Sequence, residues 1–150
     1  MIQYSKATLD DLEFLIELRI RDLKMFSTVP IQEETIKNIR YFLINGLENQ
    51  TCITLLGYDK EVLISSATVY TYNVMPSNEN IKGIVGQFTN VWVDERYRHQ
   101  GIASQMVKKL ILDLKDKVGM YCLNSSDEGI ELYKKLGFQN KENYFVLYTK

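Results

Sequence analysis

The residues best suited to chemistry lie in one short run, Asp94-Glu95-Arg96-Tyr97-Arg98-His99-Gln100-Gly101-Ile102-Ala103. It sits between a β-forming stretch that ends at Val93 and a helical pattern that opens near Gly101. A helix N-terminus presents unpaired N–H groups and about half a positive charge. Gly101 and the small Ala103 let a pyrophosphate come close to that backbone, and Arg98 adds a cation beside it. The run has neither the GxxxxGK[ST] of a P-loop nor the GxGxxG of a dinucleotide fold, so it implies another phosphorylated ligand. His99 is the sole histidine and invites a base hypothesis, but its loop is expected to face the phosphates, far from any reacting carbonyl. Cys52 and Cys122 stand in apolar stretches without CxxC spacing and read as packed thiols, with neither a disulfide framework nor a metal site implied. An acyl-cysteine at Cys122 is the sharper alternative to packing.

Such a run needs a strand to carry it in and a helix to carry it out. Ile84 to Val93 is a strongly β-forming stretch, and Ile102, Met106, Val107, Leu110, Ile111 and Leu114 recur at helical spacing. Val118 to Leu123 reads as a buried strand, parallel to the first through a strand–helix–strand unit. Upstream, a strand Ile2 to Ala7 leads to Thr8-Leu9-Asp10-Asp11, where Thr8 can cap a helix and Asp11 can favour its positive end. Leu12, Leu15, Ile16, Ile20 and Leu23 mark that helix, and Ile36, Ile39, Leu43 and Leu47 mark a second after a loop around Ser27 to Pro30. Thr51 to Tyr58 and Glu61 to Tyr72 form a hairpin about Asp59-Lys60, followed by a polar loop from Met75 to Lys82. Ser126 or Asp127 caps a last helix that stops at Gly137, with Lys134 and Lys135 in its final turn. Tyr144 to Tyr148 is expected to close the chain as a strand. The order β-α-α-β-β-β-α-β-α-β predicts an α/β fold, a mixed sheet with helices on both faces.

The 150 residues make one domain, large enough to bury a core, and no repeat or linker divides 1–150. Hydrophobic residues at 45% and charged ones at 25% are the balance of a soluble globular protein. Eighteen Lys and Arg against 19 Asp and Glu give a net charge of -1, so no basic field argues for nucleic acid or an anionic membrane. No apolar run spans a bilayer, and Met1-Ile2-Gln3-Tyr4-Ser5-Lys6 lacks a signal-peptide core, so a cytoplasmic location is expected.

Arg98-x-x-Gly101-x-Ala103 resembles the [QR]-x-x-G-x-[GA] signature of the GNAT superfamily of acyl-CoA N-acyltransferases, in the expected place between strand and helix. Leu132-Tyr133-Lys134-Lys135-Leu136-Gly137-Phe138 resembles that family's second signature, LYxKxGF, and the element order is similar over nearly the whole chain. The resemblance implies an acetyl-CoA-dependent N-acetyltransferase that acetylates a primary amine of a small molecule or protein by direct transfer. It also implies that Val91, Trp92 and Val93 pair through their backbone with the pantetheine arm. Arg98, His99, Gln100, Gly101, Ile102, Ala103 and Ser104 are then the loop and first helical turn that hold the pyrophosphate. Asn124 and Ser126 stand near the end of the following strand, where family members often carry a cofactor-binding Asn; the family's usual position, seven before the tyrosine, holds Ser126. Tyr133 is then both cofactor-binding and catalytic, near the thioester sulfur. As in many relatives, pairing as a homodimer is suggested.

Aminolysis of a thioester needs a neutral amine, donors for the developing oxyanion and a proton for the departing thiolate. Tyr133, with an ordinary pKa of about 10, can supply that proton. Gln87, Thr89 and Asn90 on the central strand are not bases at neutral pH, so a water held by them is the expected base. Arg19, Arg21 and Asp22 read as a solvated face, one of which could orient an acceptor. The apolar loop Lys24 to Pro30 either walls the acceptor pocket or folds onto the core. A rival reading keeps the cofactor loop without turnover, as an acyl-CoA-binding or sensing module.

Overall fold

The computed structural model describes residues 1–141 and 143–149. Strand β1 (Ile2–Lys6) passes into a capped turn: Thr8 Oγ1 accepts from the Asp10 N–H at 3.3 Å, and the Asp11 carboxylate accepts from the Thr8 N–H at 2.8 Å. That box caps the short turn Leu9–Asp11, which leads straight into helix α1 (Leu12–Phe26), followed by α2 (Glu33–Asn49). Then come β2 (Cys52–Asp59), β3 (Val62–Asn73), β4 (Ile84–Val93), α3 (Ile102–Asp113), β5 (Met120–Leu123) and α4 (Ile130–Lys135). The hairpin residues are Lys60 and Glu61, one step later than expected, because Asp59 pairs with Val62 and Lys60 takes the left-handed conformation.

The strands form one mixed sheet in the order β1-β2-β3-β4-β5, antiparallel throughout except for the parallel pair β4–β5. Alternating side chains build a core on each face. On one, Leu55, Ile64, Ala67, Val69 and Phe88 meet Ile102, Met106, Val107 and Leu110 of α3. On the other, Leu15, Ile16 and Leu18 of α1 and Leu43 of α2 pack with Cys52. The mixed sheet covered on both faces is the expected architecture.

The closing strand expected over Tyr144 to Tyr148 is absent. These five residues are 56% to 89% exposed and take part in no strand pairing. Strand propensity describes how well side chains fit a half-buried pleated surface, and it forms no ladder where that surface is missing. The strand at this edge, β5, is only four residues long. It also begins later than expected: Val118 is buried but precedes it. No helix among the described residues is long and apolar enough to cross a membrane.

Candidate active site

Strands β4 and β5 run together only from Val85↔Met120 to Phe88↔Leu123. Past Phe88 they part, and from Thr89 onward β4 pairs only with β3, leaving its other edge free to bond a ligand. A β-bulge marks the spot. Ser66 pairs with Trp92 and Thr68 with Thr89, so Asn90 and Val91 stand opposite Ala67 alone. Asn90 adopts the left-handed conformation at φ 51°, and the Ser66 hydroxyl donates to its carbonyl at 3.0 Å. The buried Asn90 Oδ1 has no hydrogen-bond partner, an orphaned acceptor beside the opening. Val91, Trp92 and Val93 thus present backbone to the cleft, while the Trp92 ring faces the Arg21 guanidinium at 5.7 Å.

The loop after β4 is shaped by its own bonds. Asp94 accepts from the Arg96 N–H at 2.9 Å and pairs with its guanidinium, which holds the Asp94 carboxyl below its usual range and offsets its charge. Arg98 Nε donates to the Val93 carbonyl at 3.1 Å, tying its cation to the end of β4. His99 and Gly101 both take the left-handed conformation, at φ 62° and 78°. Gly101 is the N-cap of α3 and supplies no side-chain cap; the first turn carries no acidic residue. A Cβ placed on Gly101 would meet nothing within 4 Å, so the space above the uncapped N–H groups is open. Free donors, the helix dipole and a fixed cation together suit a pyrophosphate. Arg98, His99 and Gln100 are exposed there; Ile102 points into the core and contributes only backbone, and Ala103 and Ser104 are half-buried in the first turn.

Asn124 and Ser126 follow β5 where it leaves β4. Asn124 is exposed, and Ser126 is the N-cap of the turn before α4 but makes no capping bond with its side chain. The lack of a side chain on Gly129 brings this turn against the tyrosine: an added Cβ would meet Ser125 Oγ at 2.9 Å, Tyr133 Cε2 at 3.0 Å and Ser126 Oγ at 3.5 Å. Helix α4 stops as expected, with Gly137 left-handed and the Phe138 N–H donating to the Tyr133 carbonyl at 3.0 Å. Phe138 then packs edge-on against Tyr133, with ring centroids 5.7 Å apart. Burial, and secondarily the negative charge of Asp22, push the Tyr133 hydroxyl up to about 12, so it is a protonated donor at neutral pH.

Asp22, expected with Arg19 and Arg21 on a solvated face from which one residue could orient an acceptor, is placed differently. It lies not on a solvated face but against the sheet: its Oδ2 is 3.5 Å from Thr89 Oγ1 and 3.5 Å from Arg19 Nη1, and that nitrogen donates to Thr89 Oγ1 at 3.0 Å. Burial raises its carboxyl, with Arg19 and Thr89 pulling the other way. Only its contact with Thr89 was beyond the sequence, since Arg19 and Asp22 share one face of α1 by their three-residue spacing. The α1–α2 connection does not fold onto the core: Met25, Phe26 and Val29 are 51% to 72% exposed. Cys52 is buried, and its thiol is pushed up to about 11. Cys122 touches the Tyr72 hydroxyl at 3.7 Å. No group of three His, Cys, Asp or Glu that could hold a metal ion occurs among the described residues.

Residues 52–140, from the first residue of β2 to just beyond α4, match the family model described as an acetyltransferase (GNAT) domain. The chain belongs to the GNAT acetyltransferase family. It is therefore an acetyl-CoA-dependent N-acetyltransferase. Among solved structures it is similar to a predicted acetyltransferase from Clostridium acetobutylicum crystallised with acetyl-CoA, at 27% identity and a TM-score of 0.88 over 99% of this chain and 96% of that one. The fold is also shared with glucosamine-6-phosphate N-acetyltransferase from Arabidopsis thaliana (19% identity, TM-score 0.69, 100% and 99% covered). A third is ribosomal-protein-alanine N-acetyltransferase from Brucella melitensis (15% identity, TM-score 0.68, both chains fully covered at 100%). A comparison with curated protein sequences gives no match.

Proposed function

We propose that this acetyltransferase moves the acetyl group from acetyl-CoA directly to a primary amine of a small molecule or protein. The parting of β4 from β5 at Phe88, with Tyr133 packed on Phe138 beside that residue, carries the reading. Bound acetyl-CoA supplies the activated thioester. The free edge of Val91 to Val93 holds the pantetheine arm and offers an N–H to the carbonyl oxygen, and the start of α3 with Arg98 holds the pyrophosphate. Asn124 and Ser126 complete the cofactor wall. Tyr133 gives its proton to the departing sulfur, a role that its burial favours by keeping the phenol protonated. Direct transfer fits better than an acyl-cysteine, because Cys122 has no hydrogen bond to a basic group among the described residues: its thiol meets the Tyr72 hydroxyl at 3.7 Å.

The acceptor is left open by the fold, since the solved structures that share it are named for an amino-sugar phosphate and for a protein alanine. We place the protein in the cytoplasm with its acetyl donor, and we retain the homodimer as part of the reading, to be checked by light scattering. The direct test incubates the pure protein with acetyl-CoA and four probe amines: spermidine, kanamycin, glucosamine 6-phosphate and a peptide with a free N-terminus and a lysine. Products are read by mass. Gain of one acetyl group on any probe supports the reading. Saturable acetyl-CoA binding without any acetylated probe favours the acyl-CoA-binding module instead.

A further inference from the structure

Resting on that reading, we propose that Asp22 takes the proton from the acceptor amine, with Arg19 and Thr89 as the positioning pair that holds its carboxylate. Thr89 is the first residue of β4 beyond the last pair with β5, so a group bonded to it sits at the mouth of the cleft. Asp22 reaches that point from α1, and its side chain is only 23% exposed. On the α3 side of the sheet, Tyr133 packs on Phe138, whose ring centroid lies 6.4 Å from that of Phe88, the last β4 residue paired with β5, and the Asp22 charge bears on its hydroxyl. A proton acceptor and a proton donor thus flank one gap from two faces of the sheet, which is the arrangement that aminolysis requires.

Neither strand of the cleft offers a competing carboxylate: β4 reads IVGQFTNVWV and β5 reads MYCL, without Asp or Glu. Asp22 is also loosely committed. Its two contacts, to Arg19 and Thr89, are both at 3.5 Å and both use Oδ2, and Oδ1 makes no hydrogen bond among the described residues. The charged and titratable groups that bear on it are Arg19 from its own helix and Tyr133 from α4, with the neutral Thr89 from β4. Burial raises its carboxyl and makes it a stronger base than a surface carboxylate, while Arg19 and the Thr89 hydroxyl pull the other way.

The step balances as follows. An N–H bond of the ammonium breaks and its proton moves to an Asp22 oxygen, leaving a neutral amine. The nitrogen lone pair forms the N–C bond to the thioester carbonyl, the C–S bond breaks, and its electron pair leaves on sulfur. Sulfur takes the Tyr133 proton, Tyr133 is reprotonated by the second proton of the nitrogen, and Asp22 returns the first to water. An acceptor that enters as a cation is therefore the substrate class that Asp22 selects.

The test compares Asp22→Asn with wild type on the best probe amine of the screen, using hydroxylamine, already neutral at pH 7, as the control acceptor. The expected result is a loss of about hundredfold or more in kcat on the charged amine, and much less on hydroxylamine. The acetyl-CoA-induced rise in melting temperature is unchanged, activity recovers with rising pH, and Asp22→Glu restores part of it. Turnover of Asp22→Asn within about threefold of wild type overturns this inference alone, as does a rise in KM with kcat unchanged. A wild-type protein that binds acetyl-CoA but acetylates no probe overturns the proposed function, and this inference with it.

Discussion

The two halves of the cleft are built on different principles. The donor half, from Val91 to Ser104, is made of backbone: a free strand edge, a left-handed Gly101 and an uncapped helix start. The proposed acceptor half is made of side chains, with Asp22 of α1 bonded to Thr89 of β4 and Tyr133 of α4 packed on the other face of the sheet. A backbone site serves one constant ligand through local geometry. A side-chain site can be changed residue by residue without touching the fold, and on the proposed reading it is there that the acceptor is chosen.

The largest effect that separates the halves is expected at Gly101→Asp. The carboxylate would stand where the phosphates belong, and because aspartate suits a helix N-cap the fold should survive. Calorimetric titration should show acetyl-CoA binding abolished and the cooperative melt kept. Retained binding would place the pyrophosphate elsewhere. Tyr133→Phe should act on the other half, lowering kcat by about hundredfold with the acetyl-CoA affinity close to wild type. A comparable loss of affinity would mean that the hydroxyl serves the donor half instead.

Thr89→Val removes one hydrogen bond from Arg19 and one to Asp22 while keeping the shape of the side chain. Each such bond contributes about 1 kcal/mol, so loss of both should lower turnover by about thirtyfold with no change in acetyl-CoA binding. The smallest effect is expected at Cys122→Ala: turnover within about twofold of wild type, since direct transfer asks nothing of the thiol. A collapse of activity with the fold intact would revive the acyl-cysteine.

The same contrast explains what could be read from the sequence. Gly101, Arg98 and Gly137 act through conformations and bonds close to them in the chain, so the loop, the start of α3 and the end of α4 were legible. The paired elements from Ile2 to Leu123 were legible for a similar reason, since periodicity reports which face is buried. Asp22 could be read only as part of a solvated face or as an aid to the acceptor, because nothing near it in the chain announces its contact with Thr89, 67 residues away. The run Tyr144 to Tyr148 misled for the opposite reason. Its residue types favour a strand, but a strand needs a partner edge, which no local pattern contains.

The most direct test of the site is a thermal-melt titration of the pure protein with acetyl-CoA, with adenosine as the control ligand. At a hundredfold excess over its dissociation constant, the bound molecule should add about 2.7 kcal/mol of stability. In a domain of this size the melting temperature should then rise saturably by several degrees, while adenosine leaves it nearly unchanged. A cooperative melt that acetyl-CoA does not move would contradict the placement of a cofactor cleft between β4 and β5.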